Sequence, residues 1–128
     1  MRALFLRTST LLLGALTLNA YAVTDDELQQ AADAVNQQAP MMVDQETRLD
    51  GADSGSQVLT YNYTLVNYNA GDLDRNKFTQ ALRPTMLKSG CKTLEPLLSE
   101  GIDVQYVYRG KDKGEIATLG LTRADCGL

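Results

Sequence analysis

Three residues on alternate positions, Asp72, Asp74 and Asn76, have the spacing with which a calcium-binding loop begins. Such a loop then requires a glycine where Lys77 stands and a bidentate glutamate where Arg83 stands. A carboxylate just before a helix can instead accept hydrogen bonds from the free amides of the first turn. We therefore predict that Asp72 or Asp74 caps a helix and that this stretch binds no metal.

Two further short patterns match known motifs. Ser89 and Lys92 have the S-x-x-K spacing of penicillin-recognising enzymes, but the S-D-N and K-T-G motifs that accompany it are missing. Residues 62–64 form a glycosylation sequon inside a stretch with high strand propensity. We interpret both matches as accidental.

The sequence contains no histidine, so the usual general base near neutral pH and the commonest zinc ligand are both missing. Catalysis would then depend on two carboxylates that flank a cleft. The acidic candidates are scattered along the chain: Glu46, Asp50, Glu95 and Asp103. We predict that the protein is not an enzyme and that it uses no cofactor and no metal.

The first 22 residues have the features of an export signal. Arg2 and Arg7 flank the start, an apolar stretch follows over residues 11–18, and residues 20–22 have the A-x-A pattern of a cleavage site. The apolar stretch is shorter than the roughly 20 residues of a membrane-spanning helix, and no cysteine follows the site to carry a lipid. The sequence predicts a signal peptide over residues 1–22, cleavage between Ala22 and Val23, no stable membrane insertion afterwards, and a periplasmic or secreted protein. A short N-terminal membrane anchor is the alternative.

The remaining residues, 23–128, have the length of a single small domain. Without Arg2 and Arg7 the chain has 10 Lys and Arg against 16 Asp and Glu, a net charge of −6. This charge argues against nucleic acids and anionic membrane surfaces as partners, because both are bound by neutralising phosphates with Lys and Arg. It is compatible with a basic protein partner, or it serves solubility alone.

Cys91 and Cys126 are the two cysteines of the chain. An even pair in an exported protein most simply forms a disulfide, because the compartment is oxidising. Closing a loop of this length would stabilise the fold by roughly 3–4 kcal/mol on the chain-entropy estimate. The alternative is two free redox thiols, but the pair lacks the C-x-x-C spacing.

Hydrophobic periodicity and turn residues predict an α+β fold with the order α-β-β-α-β-β. We expect a four-stranded, mainly antiparallel sheet with the helices packed on one face and one disulfide. The first predicted elements are a helix capped by Thr24 and Glu27 and ended by Pro40, a strand within residues 41–50, a turn over residues 50–56 and a strand over residues 58–68. A helix follows from Asp72 or Asp74 to Gly90, in which Pro84 causes a kink or begins a new turn. A short helix near residues 94–98 and a hairpin of residues 102–109 and 116–122 complete the chain.

The two faces of the sheet differ in character, since side chains alternate along a strand. One predicted face is apolar and aromatic and should pack against the helices: Leu59, Tyr61, Tyr63, Leu65, Ile102, Val104, Tyr106 and Tyr108. The other face combines Val58, Thr60, Gln105, Ile116 and Thr118 with the residues that we predict to form a partner surface: Asn62, Thr64, Val66, Tyr68 and Val107. Alternatively, this mixed face is simply solvated or lies under the first helix.

Several stretches resemble small exported bacterial proteins of unassigned function. The resemblance is carried by residues 36–44, 47–50 and 59–65, by Gly101, Tyr106 and Tyr108, and by residues 114–116 and 125–126. It implies a bacterial, disulfide-bonded α+β protein and supplies no catalytic residues.

We therefore expect a non-enzymatic periplasmic or secreted accessory protein that binds an unidentified protein partner. An inhibitor or immunity protein is one version, motivated by the negative charge. A carrier of a small apolar ligand is the first alternative and requires a cavity of several hundred Å³. A carboxylate-based cell-wall hydrolase is the second, and it requires two acids in one cleft.

Overall fold

The computed structural model describes residues 22–128, and the predicted signal peptide lies outside them except for Ala22, which is exposed. None of the helices in these residues is long and apolar enough to cross a membrane. The elements are α1 Asp25–Gln38, β1 Met41–Met42, β2 Thr47–Gly55, β3 Val58–Leu65, α2 Arg75–Thr93, α3 Glu95–Leu98, β4 Asp103–Gly110 and β5 Glu115–Leu121, with short 3-10 turns at Ala70–Asp72 and Ala124–Cys126.

The sheet has five strands in the order β1-β2-β3-β4-β5, so the predicted four-stranded sheet is wrong. It is also mixed rather than mainly antiparallel, because the central strands β3 and β4 are parallel while their neighbours are antiparallel. The parallel pair arises because α2 and α3 carry the chain back to the end of the sheet at which β3 began. Crossover connections of this kind are what parallel strands require.

The additional strand comes from a turn within the predicted strand of residues 41–50. The carboxylate of Asp44 accepts hydrogen bonds from the backbone amides of Glu46 and Thr47, both at 2.8 Å. An aspartate that binds amides two and three residues ahead stabilises a tight reversal of the chain. The stretch therefore folds back on itself, and Met41 pairs with Leu49.

The predicted turn over residues 50–56 is also wrong, because β2 continues to Gly55 with a bulge at Asp50. The side chain of Asn36 on α1 explains how this polar stretch remains extended. Its Oδ1 accepts from the Ala52 amide at 2.7 Å, and its Nδ2 donates to the Ala52 carbonyl at 2.9 Å. Asn36 thus satisfies the edge of β2 beyond the end of β1.

The helices pack on one face of the sheet, as predicted. The first helix begins with the predicted capping box, in which the Glu27 amide donates to Thr24 Oγ1 at 3.1 Å and the Thr24 amide donates to Glu27 Oε1 at 2.9 Å. Leu28 and Ala32 of α1 are fully buried against β2 and β3. The second helix lies mainly against β5.

The second helix is longer than predicted, since it does not end at Gly90 but continues to Thr93, and Pro84 lies inside it. Gly90 is buried where the helix approaches the sheet closely. A Cβ at this position would lie only 2.8 Å from Leu121 Cδ2. Asp74 caps the helix by accepting from the Lys77 amide at 3.0 Å, which confirms the predicted cap. The predicted short helix is α3.

The predicted disulfide joins Cys91 on α2 to Cys126 in the turn after β5, and their Cα atoms are 5.5 Å apart. The bond holds the end of the chain against the second helix.

Candidate functional site

Four tyrosines form two facing rows along the central strands. The parallel register places Tyr61 opposite Tyr106 and Tyr63 opposite Tyr108. The ring centroids of Tyr61 and Tyr106 are 5.7 Å apart, and those of Tyr63 and Tyr108 are 4.9 Å apart, with nearly parallel planes in both pairs. These separations are within the favourable range for stacked aromatic rings.

The tyrosine rings lie on the helix side of the sheet, where the sequence predicted a core. Tyr108 is buried, whereas Tyr61, Tyr63 and Tyr106 are only half-buried. Since α1 packs over β2 and α2 over β5, these rings lie between the two helices. They pack against the hydrophobic core and also reach the surface.

Burial keeps the tyrosine hydroxyls protonated. It raises the pKa of Tyr63 to about 12 and also raises the pKa of Tyr61, Tyr106 and Tyr108 above the ordinary value. Near neutral pH these hydroxyls are therefore uncharged donors rather than bases or nucleophiles. We conclude that the four tyrosines supply an aromatic, uncharged surface.

One end of the tyrosine rows opens into a groove of about 700 Å³, here called the apolar groove. The turn between β1 and β2 forms one side, and α2 forms the other. Tyr108 packs edge-on against Phe78 of α2, with ring centroids 5.3 Å apart. The apolar and aromatic lining comprises Val43, Tyr63, Leu65, Tyr68, Leu73, Phe78, Leu82 and Tyr108.

The rim of the apolar groove is acidic. Asp44 and Glu46 line it, and the lining contains neither Lys nor Arg. The backbone hydrogen bonds from Glu46 and Thr47 hold the pKa of Asp44 below its usual range, so this carboxylate stays charged. The Tyr68 hydroxyl donates to Glu46 Oε2 at 3.4 Å.

Exposed apolar side chains continue from this rim along the edge of the sheet. Met41, Met42 and Val43 are 41%, 49% and 48% exposed and are consecutive in sequence. With Leu128 they are the large hydrophobic residues that residues 22–128 leave most exposed. An apolar groove with an adjoining apolar edge is the kind of surface that protein partners use.

The predicted partner surface is only partly brought together. Asn62, Thr64 and Val107 lie on the open face of the sheet, opposite the helices, and Val66 lies beside them at the end of β3. Tyr68 does not belong to this face, because β3 ends at Leu65 and the ring turns into the apolar groove.

Ile116 was predicted on the same open face but is buried in the core cluster. The register of β4 and β5 shifts between Tyr108 and Arg109, and this bulge reverses the alternation. Such a slip is not visible in the sequence, since it depends on how two strands pair.

Polar side chains on the open face largely satisfy one another. Asn62 Nδ2 donates to Asp53 Oδ2 at 2.9 Å, and Arg109 donates to Asn62 Oδ1 at 3.1 Å. Thr64 and Val107 are 9% and 7% exposed. This face therefore offers little apolar surface to a partner.

The carboxylates considered for hydrolysis do not converge in any cavity described here. Glu46 lines the apolar groove, Asp50 lies on the open face, Glu95 begins α3 and Asp103 begins β4. Asp44 accompanies Glu46 in the apolar groove, but its lowered pKa is the opposite of what a general acid requires. Within residues 22–128 no group of three or more acidic or cysteine side chains could hold a metal ion.

No protein-family model matches the sequence, and no curated protein matches it. Solved structures do match the fold. A protein of Pseudomonas aeruginosa described as secreted superimposes with a TM-score of 0.69 at 17% identity, over 80% of this chain and 91% of that one. The fold is shared.

Two pilotins of type II secretion systems have the same fold. The Vibrio vulnificus pilotin EpsS matches with a TM-score of 0.66 at 16% identity, over 80% of this chain and 90% of its own. The Vibrio cholerae pilotin AspS matches with a TM-score of 0.61 at 17% identity, over 80% of this chain and 91% of its own. At these identities the similarity establishes the architecture.

Proposed function

We propose that this protein is a non-enzymatic accessory protein of the bacterial cell envelope that binds a protein partner in the apolar groove. The observation that carries the proposal is the groove itself, with aromatic rings in its wall and exposed apolar residues at its edge. Aromatic and Met side chains are enriched at protein interfaces because they bury much area.

The structural neighbours support the accessory role and suggest its setting. Two of them are pilotins of type II secretion systems, and a third is described as secreted. We therefore place the protein in the periplasm, which is compatible with the predicted signal peptide, and favour a role in the assembly of a secretion apparatus. The inhibitor or immunity version depends on net charge alone, and nothing in the fold favours it.

The partner segment that would fit the groove has apolar side chains next to Lys or Arg. Its apolar side chains would contact Tyr63, Phe78 and Tyr108, and its positive charges would face Asp44 and Glu46. An amphipathic helix can present such a row of side chains to a groove. The acidic rim would increase the association rate, and its contribution would decrease with salt.

Photo-crosslinking in the producing cell tests this proposal. A photo-reactive residue at Val43 or Tyr68 probes the apolar groove, and one at Thr60 or Asn62 probes the open face. We expect adducts from the groove positions, in a partner segment that is apolar and basic. Adducts confined to the open face would instead support the surface that the sequence predicted.

A synthetic peptide of the crosslinked segment then allows a quantitative test. Glu46→Lys should weaken its binding roughly tenfold, or about 1.4 kcal/mol. The substitution replaces a carboxylate at the rim with a positive charge, which repels the Lys or Arg of the partner segment. Asp103→Lys is the matched control, since it makes the same charge change at an exposed position outside the groove. Equal losses for both variants would mean that only the net charge matters.

A carrier of a small apolar ligand is the second candidate, and the volume of the groove favours it. About 700 Å³ is within the usual size of ligand sites. Native mass spectrometry of the protein purified from the periplasm distinguishes the two. A co-purified small molecule lost in Phe78→Asp, together with no protein adducts, would support the carrier.

A further inference from the structure

A second cavity of about 480 Å³ lies on the open face of the sheet, on the other side from the apolar groove. Four cationic side chains line it: Arg48, Arg109, Lys111 and Lys113. They are four of the ten Lys and Arg in residues 23–128 of a chain whose net charge there is −6. We call this cavity the basic pocket.

The single acidic residue that lines the basic pocket, Asp50, already forms an ion pair and a hydrogen bond inside it. Arg48 Nε donates to Asp50 Oδ1 at 2.6 Å, and the Thr64 hydroxyl donates to Asp50 Oδ2. One of the four positive charges is therefore balanced within the pocket. Three remain.

No carboxylate in the described part of the chain forms an ion pair with Arg109, Lys111 or Lys113. Arg109 makes one side-chain hydrogen bond, to Asn62 Oδ1, and that acceptor is neutral. Like charges that gather around one cavity repel each other, and a bound anion would relieve the repulsion.

The carboxylate of the turn between β4 and β5 does not line the basic pocket, although its charge interacts with that of Lys111. Asp112 stands between the two lysines, but its Oδ1 accepts from the amides of Ala70 at 3.1 Å and Gly114 at 3.2 Å. Lys113 has a φ of 70°, in the left-handed region that glycine or asparagine usually occupies. The backbone thus adopts an unfavourable conformation in a turn whose two lysines both line the pocket.

We propose that the basic pocket binds a phosphate group, carried either by a small molecule or by the headgroup of an anionic lipid. Arg109 can offer a fork of N–H donors to two phosphate oxygens, and Lys111 and Lys113 supply compact positive charges. Three cations without an ion-pair partner, one of which also feels the charge of Asp112, match the charge of a phosphate better than that of a single carboxylate. The pocket is independent of the apolar groove, because it lies on the opposite face of the sheet.

The net charge of the whole domain does not describe the surroundings of the basic pocket. The net charge of −6 over residues 23–128 argues against binding to nucleic acids and anionic membrane surfaces. The fold nevertheless collects residues 48, 109, 111 and 113 at one end of the open face, where the local charge is positive.

Titration of isotope-labelled protein with inorganic phosphate, followed by NMR, tests the pocket directly. We expect saturable shifts of the amides of Thr64, Gly110 and Lys111. The double variant Lys111→Gln/Lys113→Gln should raise the Kd at least tenfold. The control Lys88→Gln/Lys92→Gln removes the same charge from exposed positions on α2 and should leave the Kd within about twofold.

Co-sedimentation with vesicles identifies the source of the phosphate. Binding to phosphatidylglycerol vesicles but not to phosphatidylcholine vesicles, lost in Lys111→Gln/Lys113→Gln, supports a lipid headgroup. Saturable phosphate shifts without vesicle binding support a small molecule. Neither response, or an equal loss in the two double variants, would overturn the proposal.

Discussion

At the scale of single residues, the absence of a side chain at Gly110 allows the loop that follows β3 to pass close to the end of β4. Gly110, at the end of β4, is buried where the loop that follows β3 crosses it. A Cβ on Gly110 would lie 2.5 Å from the Ala70 nitrogen and 2.8 Å from the Asn69 carbonyl carbon. Both atoms belong to the backbone, which cannot rotate away as a side chain can. A hydrogen in place of a side chain is therefore required there.

Gly110→Ala should lower the free energy of unfolding by about 1–3 kcal/mol, the usual cost of forcing extra volume into a packed site. Gly120→Ala is the matched control on β5, since no atom lies within 4 Å of the Cβ it would add. That change should be neutral or slightly stabilising, because alanine loses less backbone freedom than glycine on folding. Urea unfolding measures the free energy of unfolding of both variants. Equal stability of the two would contradict the close approach of the Asn69 and Ala70 backbone to Gly110.

The packing of whole elements depends on the parallel pairing of β3 and β4. This register brings four tyrosines of two strands into facing rows. The ring centroids of Tyr63 and Tyr106, which are diagonal neighbours, are also only 6.4 Å apart. An antiparallel register would have opposed different residues along the two strands. The aromatic surface between α1 and α2 is thus a property of the pairing and not of either strand.

The raised pKa values of the partly buried tyrosines predict a loss of stability at high pH. In the unfolded chain tyrosine ionises near pH 10, whereas burial raises the pKa of Tyr63 to about 12 in the folded protein. Above about pH 10 the folded state binds more protons than the unfolded state, so the unfolding free energy decreases as the pH rises towards 12. Below about pH 10 this contribution is fully present.

Urea unfolding midpoints at about pH 8 and about pH 11 measure this decrease. Tyr63→Phe has one fewer raised hydroxyl pKa and should lose less stability over the same interval. A midpoint that does not change between these pH values would mean that the hydroxyls are fully solvated.

At the scale of the molecule, the disulfide joins the second helix to the turn that follows β5. Cys91 and Cys126 are 35 residues apart, and the chain between them contains α3, β4 and β5. The second helix makes its sheet contacts mainly with β5, and it also supplies Phe78 and Leu82 to the apolar groove. The bond therefore holds one wall of the groove against the sheet.

Cys91→Ser and Cys126→Ser should each lower the free energy of unfolding by roughly 2–5 kcal/mol, as for other small secreted domains. The double variant should lose no more than either single variant, because one bond is removed in all three. Thermal unfolding of the disulfide-bonded protein and of the three variants makes the comparison. A double variant that loses the sum of both single effects would show that the thiols contribute separately.

Local signals in the sequence determined much of the secondary structure. The capping box of Thr24 and Glu27, the cap at Asp74, and the final hairpin all depend on residues close together in the chain. Nearby residues interact in almost any compact state, so their pattern alone specifies the outcome. The disulfide was predictable as well, because the chain offers one pairing.

Only the tertiary structure decided which distant residues meet. The parallel centre of the sheet and the bulge that buries Ile116 arise from the way separate strands pair. The same pairings turn Tyr68 into the apolar groove and gather Arg48 with Arg109 in the basic pocket. A one-residue change of register reverses the face of every following side chain. Composition and periodicity therefore predicted an aromatic face and a mixed face, but the position of each site depended on how the strands align.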